Sequence, residues 1–148
     1  GGAPKAFAIM HKTNGFQNPT GHFNNPAALV TLDWANAKTR GDIGVQAAAG
    51  HGEIMIRKSG WYRLNARFHL TGSGTGLNYL HVQQWFGDFR NIAGLSNNRT
   101  QNANDEVTYL DARRYLDAGA SLMLTFTGPT HNWGSANLDG TYLYVEEI

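Results

Sequence analysis

The chain has 148 residues, of which 41% are hydrophobic and 16% are charged, and its formal net charge is +1. This small charge gives no electrostatic basis for binding nucleic acid or an anionic membrane, and no segment reaches the roughly 20 apolar residues of a membrane span. Cysteine is absent, which excludes disulfides, thiol catalysis and cysteine-based zinc sites. The length suits one domain with a substantial core, and the eighteen glycines favour a turn-rich all-β protein.

The chain opens with Gly-Gly-Ala and no methionine, which is typical of the scar left by a cleaved tag. We therefore predict that residues 1–5 are a scar or linker and that residues 6–148 form a single domain. No signal peptide is visible, but in a fragment its absence says little about targeting.

Alternating or short apolar segments predict strands along the whole chain. In chain order they are 6–10, 28–34, a brief strand around Ile43 and Val45, 52–56, 61–70, 77–86, a short strand around Phe89 and Ile92, 107–116, 121–127 and 141–148. The polar stretches 95–105 and 128–140 are predicted to be long loops. Roughly eight to ten strands at this spacing, without a helix of three turns, indicate a β-sandwich.

The clearest alternation lies in the stretch 52–70, GEIMIRKSGWYRLNARFHL. Its second half has apolar residues at every second position, namely Tyr62, Leu64, Ala66, Phe68 and Leu70. A period of two is typical of a strand with one face buried and the other in water. Ile54 and Ile56 alternate in the same way, so we predict a hairpin of two strands. Its turn is Lys58-Ser59-Gly60, in which Gly60 is able to take the positive φ that tight turns require.

Four segments resemble the C1q/TNF-like jelly roll. The stretch 52–62 is similar to that family's strand, Ser-Gly turn and aromatic strand, and 107–126, VTYLDARRYLDAGASLMLTF, is similar to its strand, turn and strand with alternating leucines. The end, LDGTYLYVEEI, is similar to its C-terminal strand, and 6–9 to its opening one. The final strand differs in detail and the cysteines of many animal members are missing, as in a distant member. The resemblance implies an all-β, two-sheet jelly roll that assembles as a homotrimer.

The last strand has the composition of a buried surface on both faces. Tyr142 and Tyr144 occupy one face, and Leu143 and Val145 occupy the other. One interpretation is that the two tyrosines contact a neighbouring subunit of the trimer. The alternative is a central strand that is buried on both faces within one subunit.

Glycan recognition is the best positive functional signal in the sequence. Trp133 lies among His131, Asn132 and Asn137 in the predicted loop at 128–140. Aromatic rings stack on the apolar faces of pyranose sugars, while imidazole and amide groups hydrogen-bond to the sugar hydroxyls. The alternative for Trp133 is a side chain that anchors its loop on the sandwich or in the trimer contact.

A second candidate glycan site lies on the predicted strand 77–86. Its alternation places Leu80, Val82 and Phe86 inward, and places His81, Gln83 and Trp85 outward. Trp85 with Gln83 beside it combines an aromatic face and an amide, which is again suited to a sugar.

Enzyme motifs are incomplete in this sequence. The glycine-rich 71–76 lacks the lysine and the helix of a phosphate-binding loop, and His51-Gly52-Glu53 lacks the cysteines of a zinc deaminase. Nothing places two carboxylates as in a glycosidase, and no Asp-rich calcium loop is present. We therefore predict a non-enzymatic protein with no cofactor and no metal.

These features lead to a specific expectation, because modules that resemble C1q also cap phage tail fibres and tailspikes. We predict a trimerisation and receptor-binding tip that is part of the virion, faces the extracellular medium and binds a bacterial surface polysaccharide or another host receptor. Three equal sites on one trimer would strengthen weak single-site binding by avidity. The alternatives are a C1q/TNF-like protein-binding module of a bacterial or animal surface protein, and a monomeric carbohydrate-binding module.

Overall fold

The structure is a computed structural model that describes residues 4–12, 28–48, 51–70, 76–99, 106–127 and 140–148. Within these ranges the chain forms eleven β-strands and one 3-10 helix at Trp34–Asn36. In chain order the strands are β1 (Phe7–His11), β2 (Ala28–Leu29), β3 (Lys38–Arg40), β4 (Ile43–Ala48), β5 (His51–Ile56), β6 (Gly60–Leu70), β7 (Gly76–Trp85), β8 (Phe89–Arg99), β9 (Glu106–Leu116), β10 (Ser121–Thr127) and β11 (Tyr142–Glu147).

The strands are arranged in two sheets. The first sheet has the order β3-β1-β11-β6-β9, and the second has the order β4-β5-β10-β7-β8, with the short β2 also paired to β10. Every one of these pairs is antiparallel. The all-β, two-sheet sandwich predicted from the sequence is confirmed.

The core lies between the sheets and consists of the inward positions of both. The inward face predicted for β6 is confirmed at its four described side chains, which are Tyr62, Leu64, Ala66 and Phe68. The inward face predicted for β10 is confirmed as well, at Leu122, Leu124 and Phe126. Full burial of each large apolar side chain contributes roughly 1.5–3 kcal/mol. The side chain of Leu70 lies outside the described residues.

The predicted hairpin in 52–70 is wrong, because its two strands lie in different sheets. β5 belongs to the second sheet and β6 to the first, so residues 57–59 carry the chain across one end of the sandwich. The crossing is fixed by the Tyr62 hydroxyl, which donates a hydrogen bond to the carbonyl oxygen of Lys58 at 2.6 Å. Gly60 does not have positive φ, which in the described residues occurs at Gly41, Gly87 and Gly119.

The predicted strand at 28–34 is largely irregular. β2 covers only its first two residues, although Val30 and Leu32 beyond it are both buried. Asp33 then starts the 3-10 helix, where its Oδ1 accepts a hydrogen bond from the backbone nitrogen of Asn36 at 3.3 Å. Aspartate commonly starts such turns. The turn moves Trp34 out of the inward face and leaves it 47% exposed.

β8 is longer than predicted, and it uses part of the stretch 95–105 that was assigned to a loop. Its pairing with β7 runs from Phe89 to Arg99. A polar strand at the edge of a sheet has little apolar alternation to reveal it. Phe86 is also not inward as predicted: it follows the end of β7, in the turn to β8, and is 54% exposed.

Gly119 provides a test of the turn between β9 and β10. It has a φ of +99°, and a Cβ there would lie 2.9 Å from Cε2 of Phe86. We expect Gly119→Ala to lower the free energy of unfolding by roughly 1–2 kcal/mol, because L-residues are strained at this φ. Urea denaturation measures the change.

Gly60→Ala is the matched control for this variant. A Cβ at Gly60 would have no heavy atom within 4 Å, and its φ lies outside the left-handed range. We expect a change of less than roughly 0.5 kcal/mol. Equal losses in the two variants would contradict the turn geometry assigned to Gly119.

Candidate functional site

The outer faces of the two sheets point to opposite sides of the sandwich, and each carries residues that the sequence analysis singled out. The aromatic face is the outer side of the first sheet, with the aromatic side chains Phe7, Trp61, Tyr109, Tyr115, Tyr142 and Tyr144. The β7–β8 face is the outer side of the second sheet at its edge, with the side chains Tyr79, His81, Gln83, Trp85, Phe89, Asn91 and Ser96. Contacts made through one face therefore leave the other free.

The β7–β8 face is built by the alternation of β7. Leu80 and Val82 point into the core and are fully buried, so the residues between and beside them point outward. The outward position predicted for Trp85 is confirmed, since this residue is 42% exposed. Its ring lies 4.7 Å from that of Phe89, measured between centroids, with an angle of 56° between the planes. The turn end of this face therefore carries a pair of exposed aromatic rings.

A β-bulge in β8 determines which residue meets Gln83. Val82 is opposite Ala93, but Gln83 is opposite Asn91, so Ile92 is the extra residue. In regular pairing Ile92 would have been opposite Gln83. The bulge instead brings two amides together, and Gln83 Nε2 donates a hydrogen bond to Asn91 Oδ1 at 2.8 Å. Bulges commonly redirect side chains in this way at functional sites.

An open groove lies next to the amide pair. It encloses about 420 Å³ and is lined by Tyr79, His81 and residues 91–96 of β8. The rings of Tyr79 and His81 are parallel to within 10°, and their centroids are 6.5 Å apart. Gly94 lies opposite His81, and a Cβ at Gly94 would overlap with Cδ2 of the imidazole. Glycine at this position thus allows His81 to lie across β8.

The groove is uncharged at neutral pH. Partial burial lowers the pKa of His81 from its usual 6.5, so the imidazole is neutral and presents one donor and one acceptor. The other residues that line the groove have no ionised side chain at this pH. The arrangement of ring faces, amides and a hydroxyl suits a neutral, hydroxyl-rich ligand.

The aromatic face is centred on β11. Leu143 and Val145 are fully buried and Tyr142 and Tyr144 are half-buried on the other side, so the alternation predicted for this strand is confirmed. Tyr144 stacks on Phe7 with centroids 6.0 Å apart, and its hydroxyl donates a hydrogen bond to Glu146 Oε2 at 2.7 Å. Burial and this hydrogen bond raise the pKa of Tyr144 to about 12. A contact of the two tyrosines with another subunit stays a prediction.

The sequence analysis missed the part of the aromatic face on β6 and β9. Trp61 and Tyr115 form an edge-to-face pair with centroids 5.9 Å apart, and Tyr109 lies under the guanidinium of Arg67 at 6.0 Å. Tyr109 is 61% exposed. The period of two in 107–116 places Tyr109 and Tyr115 on one face and was the signal that could have found them.

An ion pair lies between these aromatic residues. Arg63 donates to both carboxylate oxygens of Asp111, with Nε–Oδ1 at 3.1 Å and the second contact at 3.3 Å. The hydrogen bond from Arg63 lowers the pKa of Asp111. Both charges therefore already have a partner within the subunit.

The structure also bears on the remaining candidate sites from the sequence. Trp133, His131, Asn132 and Asn137 lie outside the described residues, so the glycan site proposed for that loop stays a prediction. His51 and Glu53 form a buried pair with Nε2 and Oε2 3.2 Å apart. No group of three potential metal-ligating side chains occurs in the described parts of the chain. Among the same residues, no helix has the length and apolarity required to cross a membrane.

Comparison with known proteins identifies the fold. No protein-family model matches the chain, and no curated protein sequence matches it. Among solved structures, the Eiger TNF from S. frugiperda aligns with 99% of this chain and 94% of its own, with a TM-score of 0.71 and 14% sequence identity. The fold is a TNF-like jelly roll. At this identity the similarity concerns the fold alone, and in that respect the resemblance inferred from the sequence is confirmed.

The lowered pKa of His81 predicts a pH dependence of the stability of this TNF-like jelly roll. Between the pKa of folded His81 and the usual 6.5, the unfolded chain binds more protons than the folded chain. The free energy of unfolding therefore falls as the pH is lowered through this window. We expect His81→Gln to lose less stability than the wild type between about pH 7 and pH 5, in urea denaturation.

An NMR titration of the imidazole signals provides the direct check. The midpoint of His81 in the folded protein should lie below its midpoint in urea. Identical pH dependence of stability in the wild type and His81→Gln would contradict the burial assigned to His81.

Proposed function

We propose that this chain is a non-enzymatic, homotrimeric receptor-binding tip of a phage tail fibre or tailspike, and that it binds bacterial surface glycan. The observation that carries the proposal is the separation of two surfaces on opposite sides of the TNF-like jelly roll. The aromatic face has the composition of a protein interface, and the β7–β8 face has that of a sugar-binding surface.

The aromatic face supports self-association through its composition. Trp61, Tyr109 and Tyr115 are all more than half exposed, and single subunits seldom expose so much clustered aromatic surface. Arg63 and Arg67 lie between them. The outward positions of β1, β6, β9 and β11 contain no lysine, and the lysine of this sheet, Lys38, lies opposite Ile9 on the edge strand β3. Interfaces are enriched in Tyr, Trp and Arg and depleted in Lys. The number of three subunits is taken from the resemblance to the C1q/TNF-like jelly roll.

The Arg63–Asp111 pair lowers the free-energy cost of burying the aromatic face in an interface. A charge that enters an interface without a partner costs several kcal/mol. Here each carboxylate oxygen of Asp111 already accepts a hydrogen bond from Arg63. A second subunit can cover the pair without having to supply a new counter-charge.

The β7–β8 face supports a glycan ligand and remains free in such an assembly. Its exposed rings can stack on sugars, and its amides can bind hydroxyls. Three copies on one trimer strengthen weak binding through avidity. The phage setting is supported by the absence of cysteine, the asparagine-rich stretches and the use of similar modules as fibre caps.

A second candidate is a cellular TNF-like module that recognises a protein. The match to an insect TNF over nearly the full length of both chains favours it. The two candidates share the trimer and differ in the ligand, so a screen of glycans separates them.

Self-association is tested on the aromatic face. We expect light scattering to give three times the chain mass of 16.2 kDa for the wild type. Tyr109→Glu should give a monomer, because a new carboxylate would be buried in the interface without a partner. Phe89→Glu is the matched control, since Phe89 is 58% exposed on the opposite sheet, and it should leave the mass unchanged. A monomeric wild type would contradict the proposal.

Glycan binding is tested on an array of bacterial surface polysaccharides. We expect Trp85→Ala to weaken the binding of the best ligand by at least about tenfold, because the stacking ring is lost. Trp34→Ala is the control, since Trp34 has a similar exposure on another part of the fold, and it should bind as the wild type does.

The same assay tests the loop that contains Trp133. If Trp133→Ala abolishes binding while Trp85→Ala has no effect, the ligand site lies in that loop and not on the β7–β8 face. If no polysaccharide binds to an intact trimer, the glycan proposal is wrong and the protein-binding candidate takes its place.

A further inference from the structure

The β7–β8 face is longer than a single sugar ring. Tyr79, His81, Gln83 and Trp85 follow one another at every second position of β7 and share its outer side. With a rise of about 3.3 Å per residue, the line from Tyr79 to Trp85 measures roughly 20 Å. One pyranose ring covers only a fraction of this length, so a ligand that contacts both ends must have several units.

Aromatic and hydrogen-bonding side chains follow one another along this line. Trp85 and Phe89 form an aromatic platform at the turn end, the amides of Gln83 and Asn91 follow, and the parallel rings of His81 and Tyr79 come next. The hydrogen bond between the amides uses one donor and one acceptor, so each amide retains further groups for a ligand. Stacking and hydrogen-bonding positions thus alternate, as a chain of linked sugar rings requires.

The outward side chains of the β7–β8 face are smaller on β8 than on β7. The outward residues of β8 near the groove are Asn91, Gly94 and Ser96, which are small compared with the rings of β7. β8 is also the last strand of its sheet among the described residues, so none of the described strands borders the groove beyond it. A sugar chain that runs along β7 is therefore not confined by a described strand on this side.

The described outward side chains of the face carry no formal charge of their own. They include no Lys, Arg, Asp or Glu, and His81 is neutral at pH 7. Arg90, in the adjoining turn, is paired with Asp88 at 3.1 Å. This composition favours an uncharged ligand over a uronic acid or a phosphate.

We infer that the β7–β8 face binds an extended segment of an uncharged polysaccharide, laid along β7 from Trp85 to Tyr79 across several consecutive subsites. The inference rests on the proposed glycan-binding function and specifies its ligand. A terminal monosaccharide and an anionic polymer are the ligands that it excludes.

Binding as a function of ligand length tests the inference. The probes are size-fractionated fragments of neutral glucan, mannan and galactan, from monosaccharide to octasaccharide, with polygalacturonate fragments as the charged counterpart. We expect calorimetry on the intact trimer to show at least about a tenfold gain in affinity from monosaccharide to tetrasaccharide for the neutral sugar that binds best, followed by a plateau.

Two variants test where the sugar chain lies on the β7–β8 face. Tyr79→Ala should weaken tetrasaccharide binding several-fold and leave the affinity for shorter fragments almost unchanged, because it removes the far end of the line. Gly94→Val should have the larger effect, because its side chain displaces His81 into the groove. Valine is a favourable residue in a strand, and circular dichroism verifies that the variant is folded. Trp34→Ala serves again as the control.

The outcomes distinguish failure of this inference from failure of the proposed glycan-binding function. Equal affinity for monosaccharide and tetrasaccharide, or tighter binding of the polygalacturonate fragments, would overturn this inference and leave glycan binding in place. Failure of every fragment and every polysaccharide to bind would overturn both this inference and the proposed glycan-binding function.

Discussion

Burial of the alternating apolar side chains between the two sheets is the constraint on which the rest of the structure depends. Because the side chains of a strand alternate, fixing Leu64 or Leu80 in the core also fixes the outer position of each neighbour. A slip of one residue would reverse every side chain of the strand, so a buried face strongly specifies the register. The side chains displayed on the two outer faces are therefore a consequence of the core, and neither face requires a special scaffold of its own.

The bulge in β8 is the one place near the site where this rule is locally broken. It keeps Ala93 in the core and brings Asn91, and not Ile92, opposite Gln83. The irregularity converts an apolar position of the outer face into a polar one. Gly94 completes the arrangement, because its missing side chain leaves room for His81. The chemistry of the groove thus depends on two local departures from a regular strand.

The sequence was sufficient to predict the fold class and most inward residues, because both follow from local periodicity. It could not assign β5 and β6 to different sheets, since a strand in either sheet has the same alternation. The hydrogen bond from the backbone N–H of Asn36 to Oδ1 of Asp33 ended a strand that propensity alone extended to Trp34. Likewise, the polar end of β8 is held by pairing with β7, an interaction that composition does not reveal.

The same distinction explains which site residues were found. Trp85, Gln83, Tyr142 and Tyr144 lie in strands whose alternation is visible, and their orientation was predictable. Tyr79 follows from the same alternation of β7, but Asn91 joins the site only through cross-strand register and the bulge, which are not local properties. Tyr109 and Tyr115 were within reach of the same alternation, but their face becomes recognisable only once β9 is known to extend the sheet beyond β6.

The central claim is that the aromatic face is covered by other subunits while the β7–β8 face stays free. Hydroxyl-radical footprinting of the native protein, read by mass spectrometry, tests it most directly. In the isolated chain Tyr109 and Phe89 are almost equally exposed, at 61% and 58%. The reactivity of each residue with hydroxyl radicals is compared with its reactivity in the unfolded chain. A difference in protection between the two residues then reports assembly. The account predicts that Tyr109, Tyr115 and Trp61 are protected while Phe89 and Trp85 remain reactive. Equal protection of the two sets, or protection of Phe89 and Trp85 alone, would contradict it.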